Sequence, residues 1–250
     1  EFYQKLLTAL TDRGIEPLVT LYHFDLPWAL QEQGGWSDPA TIDAFEHFAR
    51  TCFELYGDRV KYWLTINEQN IMILKGDVIG TLPAGTQDPH KTLYQQNHHM
   101  MLAQARAMIA CHQMLPAAKI GPAPNISCVY PASCKPADVL AANNFTSIRN
   151  WLYLDLACHG RYNTVAWRFM QEKGWLPTIT DAEMALLKQA KPDFIAFNYY
   201  ASDTMAAEVS AGEGDQRPDQ QIAGIDARVF DATNNPNQKK ILFNWYVDPV

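Results

Sequence analysis

An α/β protein with a parallel sheet, forming one arc of a (β/α)8 barrel, is what this sequence predicts, and three observations carry the prediction. Short β-branched and aromatic runs alternate with longer stretches of helical spacing, in the order strand, helix, strand, helix. Each run ends abruptly in polar side chains, where a strand should meet its loop, and functional groups at strand C-termini are the mark of such a barrel. The composition, 48% hydrophobic and 19% charged over 250 residues, is that of a folded globular chain. A closed barrel needs about eight strand-helix units, and about four are countable here. The chain therefore reads as an internal piece of a larger barrel, cut at both ends. Alone, it would leave two sheet edges open.

The first element is a helix in which Phe2, Leu6, Leu7 and Leu10 fall at helical spacing, closed by Gly14. Residues 15–22 form a short buried strand running into His23-Phe24-Asp25-Leu26-Pro27-Trp28. Gly34-Gly35-Trp36 is a turn, and Ser37 or Asp38 caps a helix from about Thr41 to Tyr56, which Gly57-Asp58 ends. A second strand over Tyr62-Trp63-Leu64-Thr65-Ile66 stops at Asn67-Glu68-Gln69-Asn70. After an irregular stretch rich in Gly and Pro, a long helix runs from about Lys91 to Met114, and Lys119 to Pro124 is a third strand. Helical patterns cover about 137–173 and 181–189, and Pro192 to Tyr200 is a fourth strand with polar and aromatic residues at its end. Residues 201–244 read as loop.

The stretch Asn67-Glu68 carries the sharpest chemistry. A carboxyl group at the mouth of a buried strand is a candidate general acid, because desolvation favours the neutral form, and a neighbouring amide can hold a substrate hydroxyl. Taken alone, an Asn-Glu pair is more often a helix cap. The bulk numbers narrow the ligand. A formal net charge of −7, with no Lys/Arg cluster or basic tail, argues against nucleic acid or an anionic membrane as partner and favours a small molecule. No apolar run spans a bilayer, residues 1–5 lack a signal-peptide layout, and the five cysteines (52, 111, 128, 134 and 158) have no CxxC or metal-ligand spacing. They read as reduced thiols in a cytoplasmic protein needing no cofactor and no metal. Asn125-Ile126-Ser127 and Asn144-Phe145-Thr146 match the glycosylation pattern but have no secretion signal to support them.

Five motifs, in order and at similar spacing, resemble glycoside hydrolase family 1. They are Tyr22-His23-Phe24-Asp25-Leu26-Pro27 with Gly35-Trp36; Thr65-Ile66-Asn67-Glu68; Asn150-Trp151 followed by His159-Gly160-Arg161-Tyr162; residues 193–200; and Val247-Asp248-Pro249. The resemblance covers essentially the whole chain and implies a partial TIM (β/α)8 barrel, about strands 3 to 6 of eight, from a retaining β-glycosidase. It implies that Glu68 is the general acid/base, that Asn67 holds the sugar 2-hydroxyl and that His23 contacts the 3-hydroxyl. Asn198 would lie beside the acid/base and Tyr200 would orient the nucleophile. The family's nucleophile, in a Thr-Glu-Asn-Gly motif, is not among these 250 residues, nor are the strand-1 Gln, the strand-2 Arg and the strand-8 segment. Only half of the carboxylate pair is here, so the piece alone is expected to be inactive or not stably folded.

Phe24 after the His, and Gln69-Asn70 after the Glu, resemble the 6-phospho-β-glucosidases more than plain β-glucosidases, so the expected substrate is a small β-glucoside that carries a 6-phosphate. A carbohydrate-binding remnant of the same fold is the alternative, although such a module has no need of an Asn-Glu pair where a leaving oxygen would lie. A metal-dependent barrel hydrolase is disfavoured by the lack of a His-x-His or carboxylate cluster at strand ends. His98 and His99 are adjacent and cannot make the i, i+4 metal pair, so they read as structural or near-site polar groups. Glu46, Asp181, Glu183 and Glu172 read as solvent-facing or capping, most tryptophans as core, and Trp36 and the surroundings of Tyr246 as lining an aglycone path.

Overall fold

The computed structural model describes residues 1–207, 231–235, 237–241 and 245–247. The first part of the chain folds as α1 (Phe2–Thr11), β1 (Leu18–Tyr22), α2 (Trp28–Glu32), α3 (Ala40–Tyr56), β2 (Tyr62–Asn67), α4 (Gln69–Leu74), α5 (Pro89–Met114) and β3 (Lys119–Ala123). There follow β4 (Val129–Pro131), α6 (Pro136–Thr146), α7 (Leu152–His159), α8 (Thr164–Lys173), α9 (Asp181–Gln189), β5 (Asp203–Ala206) and β6 (Asp231–Ala232). Strands β1, β2 and β3 form one parallel sheet with β2 in the middle. Five consecutive residues of β2, Trp63 to Asn67, are buried, as expected for a parallel strand covered on both faces. Helices α3 and α5 pack against each other as the crossovers that return the chain from β1 to β2 and from β2 to β3.

Register sets the level of the strand ends. Tyr22 is opposite Ile66 and Asn67 is opposite Ala123, so His23, Glu68 and Asn125 leave the sheet at the same rim. The predicted strand from Ile15 begins only at Leu18, after Pro17, which has no N–H to give a ladder. Helix α1 buries Leu7, while Phe2 and Leu6 of its predicted stripe are exposed. The helix predicted from Thr41 begins at Ala40, and the Asp38 carboxylate accepts from the Ala40 N–H at 2.9 Å. The long helical pattern over 137–173 is three helices. A π-helical stretch (Ser147–Trp151) joins α6 to α7, and Gly160 in the left-handed region ends α7.

The fourth predicted strand is extended but irregular. The Asp193, Ala196 and Asn198 N–H groups donate to the Ile120, Pro122 and Pro124 carbonyls at 2.9, 3.1 and 3.0 Å, so the segment runs parallel along β3. In a regular parallel ladder the return bonds would come from the N–H groups of residues 122 and 124, and both are proline. Pairing is thus one-sided until Ile126 N–H returns to the Asn198 carbonyl at 2.8 Å. The Asp193 side chain reinforces the seam, accepting from the Ile120 N–H at 3.0 Å, Lys119 at 3.0 Å and His112 at 2.8 Å. Beyond it, residues predicted as loop contain β5, which pairs in parallel with β4 and antiparallel with β6. Strands of two to four residues are too short for any periodicity to announce them. Residues 248 and 249 of the last predicted motif lie outside the described residues.

Two tests follow from this seam. A Cβ at Gly121 would collide with the Phe194 backbone carbonyl, so Gly121→Ala is expected to cost about 1–3 kcal/mol in urea unfolding of the protein that carries these residues. An unchanged midpoint would mean that the fourth segment is not seated there. Burial alone would raise the Asp193 carboxyl. The hydrogen bonds from His112, the Ile120 N–H and Lys119 outweigh it and hold the group at about 2, below its ordinary 3.8. Because the folded value is depressed, the stabilisation is complete above about pH 4 and is lost as pH falls through about 2. Asp193→Asn should therefore cost about 1 kcal/mol at pH 7, with the gap to the parent closing towards pH 2. A gap independent of pH would refute the ionic account.

Candidate active site

Four chain segments bring amide and carboxyl side chains to one rim. At the end of β2, Asn67 is buried and Glu68 half-buried. The Glu68 N–H still reaches across to the Ala123 carbonyl at 2.8 Å, but its φ of +46° turns the chain sharply into α4. At the end of β1, Phe24 has φ +67°. Left-handed backbone at a non-glycine residue costs on the order of 1–3 kcal/mol. Phe24 and Glu68 are the only two such residues among those described, and both sit at strand ends facing the same cavity.

Side-chain amides link these ends into a directed row. Asn198 Nδ2 donates to Asn67 Oδ1 and to Glu68 Oε1, each at 2.9 Å. Asn67 Nδ2 then faces His23 Nε2 at 3.1 Å. An amide nitrogen can only donate, so Nε2 is the acceptor of a neutral imidazole and Nδ1 carries the ring proton. The His23 backbone N–H donates to the Asp25 carboxylate at 2.9 Å. The row leaves the exposed His23 with a donor, and the two carboxyl oxygens of Glu68 with different surroundings. Tyr200 stands on the rim of the same cavity, its ring edge-on to Trp245 with centroids 6.1 Å apart.

The structure adds residues that the sequence reading did not single out for the site. Asn125, at the end of the third strand, gives its Nδ2 to Glu68 Oε1 at 2.9 Å. Arg149, on the π-helical stretch, donates Nη1 to the Asn125 carbonyl at 2.8 Å and Nη2 to Asn125 Oδ1 at 2.5 Å. Asn70 brackets the Asn125 backbone, accepting its N–H at 2.9 Å and donating to its carbonyl at 2.6 Å. Burial pulls the Arg149 guanidinium down from the ordinary arginine range, against the opposing fields of Asp203, Tyr153 and Glu68. Asp203, with Oδ2 3.5 Å from Arg149 Nε and 2.6 Å from Ser127 Oγ, is its ion-pair partner. The signal for Asn125 was available, since it is a polar residue closing a predicted strand. It appeared instead within a glycosylation pattern, and burial with its nitrogen engaged leaves it no room as a glycan acceptor. Arg149 gives no such signal, because only the helix geometry turns it inward.

The cavity at this rim has a volume of about 510 Å³ and is lined by His23, Glu68, Asn125, Arg149, Tyr200 and Trp245 among others. Its walls offer hydrogen-bond donors, a carboxyl group and aromatic faces, the set that suits a polar ring of hydroxyls. A larger hollow of about 1110 Å³ beside β4 and β5 has no carboxyl or imidazole in its described lining, so it offers no acid. Among the described residues, no three His, Cys, Asp or Glu groups are arranged to hold a metal, and no helix is long and apolar enough to cross a membrane. His98 and His99 are both buried, facing the Tyr162 hydroxyl at 3.0 Å and the Trp36 carbonyl at 2.8 Å. Glu183 completes a capping box with Thr180, and Glu46 pairs with Arg50 at 2.9 Å. Trp36 departs from its predicted place on an aglycone path. It is 1% exposed, wedged against Tyr22 and Phe45, with its Nε1 donating to the Tyr22 hydroxyl at 3.3 Å.

Comparison with known proteins identifies the family. The family model described as glycosyl hydrolase family 1 matches residues 1–250. An aryl-phospho-β-D-glucosidase of Bacillus subtilis is 38% identical over the whole chain, which covers 54% of that relative. A phospho-cellobiase of Klebsiella oxytoca is 36% identical, again over the whole chain and 51% of the relative. Among solved structures, a family 1 β-glucosidase from Thermotoga maritima superposes with a TM-score of 0.83 at 29% identity, over 99% of this chain and 51% of its own. The same enzyme is solved in complex with glucoimidazole. The chain thus spans about half the length of the curated relatives it matches, and it belongs to glycosyl hydrolase family 1.

Proposed function

We propose that these 250 residues are the central portion of a single barrel domain, about strands 3 to 6 of eight, in a retaining β-glycosidase whose general acid/base is Glu68. One observation carries the reading above the others. The Glu68 carboxyl projects into a cavity shared with His23 and Tyr200, with two amide donors gripping one of its oxygens. A retaining enzyme needs a second, ionised carboxyl about 5–5.5 Å away to attack the anomeric carbon. In this reading the second carboxyl comes from polypeptide outside these residues, in keeping with the half-length match to relatives. His23 donates from Nδ1 to a sugar hydroxyl, Asn67 addresses the neighbouring hydroxyl, Asn198 holds the acid/base, and Tyr200 reaches towards the incoming nucleophile.

The favoured substrate is a β-glucoside carrying a 6-phosphate. Relatives named as phospho-glucosidases support it, together with Phe24 and the Gln69-Asn70 pair. Both members of that pair are buried and structural, Gln69 donating to Asn97 Oδ1 at 2.7 Å and Asn70 holding Asn125. A phosphorylated sugar does not diffuse across a bilayer, so the reading carries a cytoplasmic setting with it.

In the full-length protein, turnover of p-nitrophenyl β-glucoside 6-phosphate should exceed that of the plain glucoside, and Glu68→Gln should lower the kcat of the better substrate by about 10²–10⁴. Full activity in Glu68→Gln would overturn the assignment, and preference for the plain sugar would overturn the substrate class. The 250-residue chain alone is expected to release no p-nitrophenol. A stoichiometric burst from it would mean that the nucleophile lies within these residues.

A further inference from the structure

From the hydrogen-bond geometry behind Glu68 we infer that Arg149 is a positioning residue for the acid/base, acting through Asn125, and that it confines the catalytic proton to Glu68 Oε2. This rests on the assignment of Glu68 as acid/base. An asparagine amide has two orientations related by a flip, one presenting NH₂ and the other C=O. For Asn125 the choice is made from behind. Arg149 Nη2 at 2.5 Å requires an acceptor, so Oδ1 must face the guanidinium and Nδ2 must face Glu68. The Asn125 backbone cannot shift to escape this, because its carbonyl is held by Arg149 Nη1 and Asn70 Nδ2 and its N–H by Asn70 Oδ1.

Asn198 Nδ2 also donates to Oε1. With two N–H donors aimed at one oxygen, a proton on Oε1 would face hydrogen against hydrogen, so the acid form is Oε1 as carbonyl and Oε2–H. In the first step the second carboxylate bonds to the anomeric carbon as the glycosidic bond breaks, its electron pair goes to the glycosidic oxygen, and the Glu68 Oε2 proton passes to that oxygen. The carboxylate that remains is met by two donors already in place, with no reorganisation. In the second step Oε2 takes a proton from water as its oxygen bonds to the anomeric carbon and the bond to the nucleophile breaks. The charged and titratable groups bearing on the guanidinium are Asp203 at the start of β5, Tyr153 on α7 and Glu68 itself. Asp203 balances the charge, which leaves the Arg149 fork to fix the amide.

The test uses the full-length enzyme and kcat/KM for two β-glucosides that differ only in leaving group. Phenol needs the acid, whereas 2,4-dinitrophenolate departs without it. Arg149→Lys keeps the charge opposite Asp203 but cannot span both Asn125 acceptors. It should lose about tenfold or more on the phenyl substrate and less than about twofold on the dinitrophenyl one. Asn125→Asp keeps Arg149 paired while turning an oxygen towards Glu68 Oε1, so the basic limb of its pH–rate profile should move to higher pH by about one unit. Equal losses on both leaving groups in Arg149→Lys, or an unmoved basic limb in Asn125→Asp, would overturn the inference. If Glu68→Gln itself loses equally on both leaving groups, the acid/base assignment fails and the inference with it. If Glu68→Gln is selective and the other two variants are not, the inference alone fails.

Discussion

Parallel register is the constraint from which the rest of this structure follows. Because β2 is flanked on both sides by parallel partners aligned within a residue or two, the chain leaves all three strands at one level. The side chains just past those ends are then near neighbours, although His23, Glu68 and Asn125 are far apart in sequence. The Ile66↔Tyr22 and Asn67↔Ala123 pairs fix that level through backbone hydrogen bonds alone, before any functional side chain contributes. Helices α3 and α5 pack together as the crossovers beside the sheet, and the unbroken buried run of β2 is what a doubly covered strand requires.

On that rim, polarity is organised by direction. Each amide has one donor end and one acceptor end, so a row of them propagates an orientation from the buried side to the cavity. Asn198 points its nitrogen at Asn67, Asn67 points its nitrogen at His23, and the imidazole tautomer follows. Beneath the row lies a second buried polar layer in which Thr65 donates to Gln104, Gln104 to Gln69 and Gln69 to Asn97 Oδ1, leaving Asn97 Nδ2 without a partner among the described residues. Such a layer is costly to half-satisfy and rigid when complete. The backbone strain at Phe24 and Glu68 falls at strand ends that the amide row ties together.

Much of this was legible in the sequence, for identifiable reasons. The strands β1, β2 and β3 are apolar runs with polar ends, and the Asn67-Glu68 break is abrupt enough to mark a site without any structure. Family motifs carried the rest of the predicted set. What escaped was set by geometry that periodicity does not encode. The fourth strand is irregular because its partner strand carries Pro122 and Pro124, a property of the neighbour and not of the segment itself. Arg149 lies in a helical pattern like any other basic residue, and a local widening of the helix turns it inward. Trp36, read as a binding surface, is core, because aromatic residues beside a strand end serve either purpose and only burial distinguishes them.

The burial of Asn125 bears on where such a protein can be made. Its sequence context, Asn125-Ile126-Ser127, is an acceptor pattern for oligosaccharyl transfer, a reaction that meets the chain while it is still unfolded. A polypeptide passing through a eukaryotic secretory route would present that nitrogen before the Arg149 and Glu68 contacts exist. A branched glycan there would occupy the space between two strand ends and block the rim from closing. The same tripeptide does not meet that secretory reaction when the chain is made and folded in a cytosol. The choice of host for production is thus written into the site itself.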